Sequence, residues 1–158
     1  MRVGLVLGAG GVIGGSWLIG ALDALEAETG GRAADAEQIV GTSAGAVIGA
    51  LAAAGVAPES MSAYASGRTL DDVADAEARA AETPRRASAG EFQLQPGGRE
   101  IRLMGFNLMS GARRLEVMEQ ARRSVAQQLR RLRARRALLP PRTSRRRRAT
   151  APAPRSRQ

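Results

Sequence analysis

Two glycine-rich turns, each directly after a short apolar run, constrain this chain more than any other feature. The first run covers residues 3–8 and leads into the glycines of residues 8–14. The second covers residues 38–40 and leads into a Gly-x-Ser-x-Gly pentapeptide at residues 41–45. Apolar runs bounded by glycine are typical of buried parallel strands, and a segment with helical spacing follows each turn. The order strand, turn, helix, strand, turn, helix predicts a parallel α/β unit.

Glycine, proline and capping residues indicate where the helices begin and end. Gly30 and Gly55 predict the ends of the first two helices, because glycine commonly follows a helix C-terminus. Pro58 predicts the start of a third helix, which runs to about residue 65. Thr69 with Asp72 three residues later resembles a capping box, and this predicts a fourth helix to about residue 81.

Two further patterns occupy the C-terminal half. Alternating apolar residues flank Pro-Gly-Gly-Arg at 96–99 and predict a β-hairpin; they are Phe92, Leu94, Ile101 and Leu103. An arginine-rich helix is predicted from residue 115, with one apolar stripe of Leu115, Met118, Val125, Leu129 and Leu132. Beyond Pro140 the sequence is of low complexity, which predicts disorder.

The charge is divided between the two ends of the chain. Residues 1–98 carry 6 arginines against 12 acidic residues, whereas residues 99–158 carry 18 arginines against 3. This asymmetry predicts a folded core over residues 1–110 and an arginine-rich helix with a disordered tail over residues 111–158.

Two uncharged stretches, residues 3–22 and 39–57, approach the length of a membrane-spanning helix. The glycines of the first stretch cluster as in a loop, and lipid would leave a loop's backbone groups without hydrogen-bond partners. We therefore expect a soluble cytoplasmic protein.

The pentapeptide at 41–45 has the pattern of a nucleophile elbow with Ser43 at its tip. Such an elbow needs a small residue two positions on either side of the serine, and Gly41 and Gly45 satisfy this requirement. The chain has no cysteine, histidine or lysine, which excludes Ser-His-Asp and Ser-Lys catalysis and metal sites built from Cys or His. No acidic cluster has the spacing of a carboxylate metal site, so we expect no metal.

The first glycine turn allows two interpretations. Dinucleotide binding requires G-x-G-x-x-G, and Gly8 and Gly10 fit, but the third glycine is replaced by Ile13 and only a looser spacing to Gly14 remains. The acidic residue expected after the second strand is also missing. The alternative is an oxyanion hole, in which backbone amides of the turn face the serine.

Together the two turns resemble the patatin-like phospholipase family, the serine lipid acyl hydrolases, over about residues 3–55. The resemblance implies a three-layer, parallel-sheet α/β core, here incomplete, with Ser43 as nucleophile. It also implies that the amides of Gly10, Gly11 and Val12 hold the oxyanion. The catalytic pair of the family is Ser-Asp, the substrate is a lipid or acyl ester, and no cofactor is needed.

The sequence departs from the family pattern at three points. Ala9 stands where the oxyanion loop has its first glycine, and Ile13 where it has a basic residue. The family's Asp-Gly motif is absent, because no aspartate of the chain is followed by glycine; the aspartates are Asp23, Asp35, Asp71, Asp72 and Asp75. No catalytic aspartate is therefore found, and we expect a truncated or frame-shifted chain with little or no activity.

Several interpretations stay open for residues 111–158. A basic amphipathic helix would suit an anionic membrane surface. Nucleic acid is disfavoured, because no aromatic residue follows Phe106 to stack on bases. A solvated tail and an out-of-frame product complete the set. For the whole chain, the alternatives to a hydrolase are a nucleotide-binding module using the turn at residues 8–14 and an anionic-surface-binding protein.

Overall fold

The computed structural model describes residues 3–69, 71–72, 74–75, 78–79 and 93–137. Strands and helices alternate at first and helices follow. The elements are β1 (Gly4–Leu7), α1 (Gly11–Thr29), a 3-10 turn (Ala33–Asp35), β2 (Gln38–Gly41), α2 (Ala44–Ala53), α3 (Pro58–Ala65), α4 (Gly98–Met104) and α5 (Arg114–Ala137).

The sheet formed by the described residues has two parallel strands, as the sequence predicts. The register pairs Val6 with Val40, and Leu7 with Gly41. Helix α2 packs on one face, where a side chain at Gly49 would contact Ile39 and Leu7. On the other face Val6 is 83% exposed. Since parallel sheets are usually covered on both faces, this face is unusually bare.

Helix α1 lies at the centre of the molecule, with α2, α3 and α5 packed around it. Every residue from Gly15 to Leu22 is buried. The helix ends as predicted at Gly30, which adopts the left-handed conformation with φ 70°. It begins at Gly11, so the prediction that the glycine segment is a loop as far as residue 14 is wrong for its second half. The amide of Gly14 already bonds to the carbonyl of Gly10, which starts the helix inside the glycine run.

Helix α5 packs along α1, although not by the full stripe that the sequence predicts. Leu115 and Leu132 are exposed, so their place in the stripe is wrong. The fully buried positions repeat every four residues and are Val117, Ala121, Val125 and Leu129, with Met118 buried beside them. This spacing gives a row on one side of a helix, which fits against the small residues of α1.

Gly20 sets how closely α1 and α5 approach. A Cβ atom on Gly20 would collide with the carbonyl oxygen of Met118 and lie 3.2 Å from the Cβ of Ala121. Two ion pairs join the same helices, Arg130 with Glu28 at 2.6 Å and Arg122 with Asp23 at 3.5 Å. Because their arginines are exposed, water screens both pairs, and the packing dominates.

The predicted hairpin around residues 96–99 is wrong. Residues 98–104 form helix α4, while Phe92 lies outside the described residues. The physical reason is Glu100, which is buried and accepts hydrogen bonds from the amide of Gly97 at 3.1 Å and from the hydroxyl of Ser124. Glu100 thus caps its own helix, and its link to α5 holds α4 in place.

The remaining helix signals agree with the structure. Gly55 follows α2 with φ 89°, and Pro58 is the first residue of α3. The amide of Asp72 donates to Thr69 Oγ1 at 3.3 Å, and Asp72 Oδ2 accepts from the amide of Thr69 at 3.0 Å. The hydroxyl of Thr69 also donates to Asp72 Oδ2, and this bond, together with that from the Thr69 amide, lowers the pKa of Asp72. The predicted end of this helix near residue 81, and the tail beyond Pro140, lie outside the described residues. No described helix is long and apolar enough to cross a membrane.

Gly20→Ala tests the close contact between α1 and α5. The added methyl group would meet the carbonyl of Met118, so the helices must separate, and we expect a loss of about 2 kcal/mol in the free energy of unfolding. The matched control is Gly14→Ala in the same helix, whose methyl group meets only the Ala9 carbonyl at 3.7 Å. It should be neutral or stabilise by up to about 1 kcal/mol. Urea unfolding measures both, and a Gly20→Ala variant as stable as the parent would contradict the packing.

Candidate active site

Ser43 occupies a backbone conformation that side chains rarely adopt. Its φ is 55° and its ψ is −121°, and no other non-glycine residue among those described has a positive φ. A conformation of this kind costs about 1–3 kcal/mol and persists only where the surroundings impose it. Ser43 lies between the end of β2 and the start of α2 and is exposed to solvent.

The surroundings that impose it are close backbone contacts at the two flanking glycines. A Cβ atom on Gly41 would collide with the carbonyl of Gly45 and approach the Cα of Ala46 to 2.6 Å. A Cβ atom on Gly45 would collide with the carbonyl of Leu7 and approach that of Gly8 to 2.6 Å. The Gly-x-Ser-x-Gly spacing is therefore a steric requirement of this turn.

The first glycine turn lies beside the elbow at the same edge of the sheet. The amide of Thr42 donates to the carbonyl of Leu7 at 3.1 Å, which ties the end of β2 to the end of β1. A Cβ atom on Gly15 would lie 3.6 Å from the Cβ of Ala44, so the first turns of α1 and α2 are in contact. Both helices thus direct their N-termini to the carboxyl edge of the strands, where α/β sheets place their ligands.

Some backbone amides at the start of α1 donate hydrogen bonds within the described residues, and others do not. Ile13 donates to the carbonyl of Leu108 at 3.1 Å, and Gly14 donates to that of Gly10 at 2.8 Å. Within the described residues, the amides of Gly10, Gly11 and Val12 donate no hydrogen bond. These are the three amides that the family resemblance assigns to the oxyanion.

Sequence reasoning missed two contributions to this region. The amide of Ala44, directly after the serine, also has no acceptor within the described chain, and this position supplies an oxyanion donor in other elbows. The second is the turn at residues 107–110, whose Leu108 carbonyl would lie 2.6 Å from a Cβ atom on Gly11. Only the Asn and Gly residues around it hint at a turn in the sequence, and nothing there indicates its contact with α1.

The electrostatics of the edge favour negative charge. Neither α1 nor α2 has an acidic residue in its first turn, so the positive ends of both helix dipoles are uncompensated. An oxygen that becomes negative above Ser43 would be stabilised there.

Asp23 and Asp35 both lie away from the elbow. Asp23 lies twelve residues along α1 from Gly11, about 18 Å away, and pairs with Arg122. Burial raises the pKa of Asp23 and the nearby Arg122 opposes this. Asp35 precedes β2 and so lies toward the other end of the strands. The side chain of Ser43 makes no capping hydrogen bond to α2.

Among the described residues, no metal site is found, and the cavity between α1, α3 and α5 does not adjoin the serine. The described residues contain no group of acidic side chains able to hold a metal ion. A cavity of about 210 Å³ lies between α1, α3 and α5, and its polar lining includes Asp23, Ser62 and Arg122. None of its lining residues belongs to the elbow or the glycine turn.

A comparison with protein families decides the relationship. The family model described as patatin-like phospholipase matches residues 5–157, nearly the whole chain. The chain belongs to the patatin-like phospholipase family. The match extends well beyond the two glycine turns and through the arginine-rich segment. At family level this indicates a lipid ester hydrolase with lipid substrates. Searches of curated proteins and of solved structures found no match.

In this patatin-like chain, Ile13 is the departure from the family pattern whose structural effect is visible. Ile13, which replaces a basic residue, is 1% exposed and packs in the hydrophobic core. Its amide is held by the carbonyl of Leu108. The substitution therefore removes a charge from the turn and adds an apolar anchor beneath it.

Ser43→Gly tests the strain at the elbow. Glycine adopts positive φ without strain, so we expect the free energy of unfolding to rise by about 1 kcal/mol after the entropy of glycine in the unfolded chain is subtracted. Ser43→Ala is the matched control, because alanine keeps the strained conformation and should remain within about 0.5 kcal/mol of the parent. Urea unfolding compares the three proteins. A Ser43→Gly variant less stable than Ser43→Ala would contradict a strained elbow.

Proposed function

We propose that this chain carries the nucleophile and the oxyanion site of a lipid acyl hydrolase. Ser43 is the nucleophile, and the amides of Gly10, Gly11 and Val12 stabilise the oxyanion. The observation that carries the proposal is the strained backbone of Ser43, held beside helix-terminal amides that have no acceptor within the described residues. Family membership supports the class of substrate.

The proposed reaction is acyl transfer through the serine. Ser43 Oγ attacks the carbonyl carbon of an acyl ester and loses its proton to a base, and the carbonyl oxygen becomes an oxyanion that faces the amides. The alcohol then leaves with a proton, and water hydrolyses the acyl-enzyme. No cofactor takes part.

The component that the described residues do not supply is the base. In the family an aspartate accepts the serine proton, yet two of the described aspartates of this chain have other partners. Asp23 pairs with Arg122, and Asp72 bonds to Thr69. General-base catalysis contributes typically about 10²–10⁴-fold. We therefore propose that the chain turns over esters very slowly, and that its two strands are the first part of a larger three-layer core.

The proposal extends to location and domain organisation. We place the protein in the cytoplasm, with peripheral contact to membranes where its lipid substrate lies. The division into a core over residues 1–110 and an arginine-rich segment over residues 111–158 remains a prediction. The described part of the latter, α5, packs against α1.

Fluorophosphonate labelling followed by intact mass spectrometry tests the nucleophile without requiring turnover. We expect slow addition of one phosphonyl group, located on Ser43 by peptide mapping and absent in Ser43→Ala. Hydrolysis of a p-nitrophenyl ester by the parent should be close to that of Ser43→Ala, because no described residue supplies a base.

Two outcomes would contradict the proposal. Robust esterase turnover that is lost in Ser43→Ala would mean that the chain contains a base after all. No labelling of Ser43, together with saturable protection against proteolysis by NADP or ATP, would favour the nucleotide-binding alternative instead.

A further inference from the structure

The loop between α4 and α5, residues 105–111, presents large apolar side chains to solvent. Phe106 is fully exposed, Met109 is 70% exposed and Leu108 is 44% exposed. Single exposed apolar residues are common on proteins, but three within four consecutive positions form a patch, and such patches mark interaction sites.

The 105–111 loop is held in place by hydrogen bonds. Asn107 accepts bonds from the amide of Met109 through its side chain and from the amide of Ser110 through its carbonyl, both at 3.1 Å. Leu108 accepts a bond from the amide of Ile13 at 3.1 Å. The apolar side chains therefore project from an ordered turn, so little conformational entropy of the loop is lost when a partner binds.

Three arginines lie close to the loop, and one of them, Arg113, pairs with Glu116 at 2.9 Å. No acidic residue occurs between residues 101 and 115, whereas Arg102, Arg113 and Arg114 lie within that interval and are exposed. Arg102 forms no ion pair with a described residue. Arg114 donates to the backbone carbonyls of Ala65 and Gly111, which leaves its charge uncompensated. Charge complementarity thus points to an anionic partner.

The loop borders the proposed oxyanion site. A Cβ atom on Gly11 would lie 3.0 Å from the sulfur of Met109, and Val12 next to it is exposed. Whatever binds the apolar tip of the loop is brought to the same edge of the molecule as Ser43.

We propose that the 105–111 loop inserts Phe106 and Met109 into an anionic lipid bilayer, with Arg102 and Arg114 on the headgroups. This inference rests on the proposed function, because insertion of the loop would deliver acyl esters to Ser43. Exposed apolar side chains next to unpaired arginines match the boundary between headgroups and acyl chains. Nucleic acid fits less well, because only one of the three side chains can stack on a base.

Tryptophan fluorescence on vesicles tests which part of the surface inserts. Phe106→Trp is the probe, and Leu132→Trp is the matched control, at a partly exposed position about 27 Å farther along α5 than Arg114. Native Trp17 is 7% exposed and provides a constant background. With phosphatidylglycerol vesicles that carry brominated acyl chains, we expect a blue shift and quenching for Phe106→Trp alone. Phosphatidylcholine vesicles should give neither.

The affinity for the same vesicles provides a second measurement. Phe106→Ala with Met109→Ala should weaken binding to phosphatidylglycerol by at least about tenfold, because two apolar side chains no longer enter the bilayer. The melting temperature of this variant should equal that of the parent, since both positions are exposed.

The outcomes separate this inference from the hydrolase proposal. Ser43→Ala should bind vesicles as the parent does, so vesicle binding is tested independently of Ser43 chemistry. Quenching at residue 132 without quenching at residue 106 would overturn the inference and show that the arginine-rich helix binds by itself. Equal affinity of the double variant and the parent would overturn it as well.

Discussion

The burial of α1 is the constraint on which the rest of the structure depends. Helices α2, α3 and α5 surround it, and the row of fully buried residues on α5 reaches it only because Gly20 lets the two backbones meet. Dense packing of this kind leaves little room for movement. The N-terminus of α1, with its amides facing outward, is therefore fixed relative to the neighbouring strands.

The site is a consequence of the same close packing. Gly45 lies against the carbonyls at the end of β1, and Gly41 lies against the start of α2. The backbone that connects them has little freedom, and this holds Ser43 in its strained conformation. The surrounding contacts stabilise this strained conformation, so the serine stays at the carboxyl edge of the sheet. The proposed acyl transfer depends on that arrangement.

How much of this could be predicted depends on the range of the determining contacts. Both strands, the ends of α1 and α2 and the start of α3 follow from local residue types, since glycine and proline act on the backbone where they stand. The prediction of a hairpin was wrong because alternating apolar residues suggest a strand. The bonds of Glu100 to Gly97 and Ser124 instead stabilise a helix. The buried face of α5 and the contact of Leu108 with Ile13 depend on partners about 100 residues away, which no local pattern reveals.

The most direct measurement of the central claim, that free amides of the first turn face Ser43, is the NMR spectrum of the phosphonylated protein. The phosphonyl oxygen mimics the oxyanion, so the amide protons of Gly10, Gly11 and Val12 should shift downfield as these amides donate hydrogen bonds to it. The amide of Ile13, already bonded to Leu108, should shift little. Unchanged amides at residues 10–12, with the phosphonyl group on Ser43, would contradict the account.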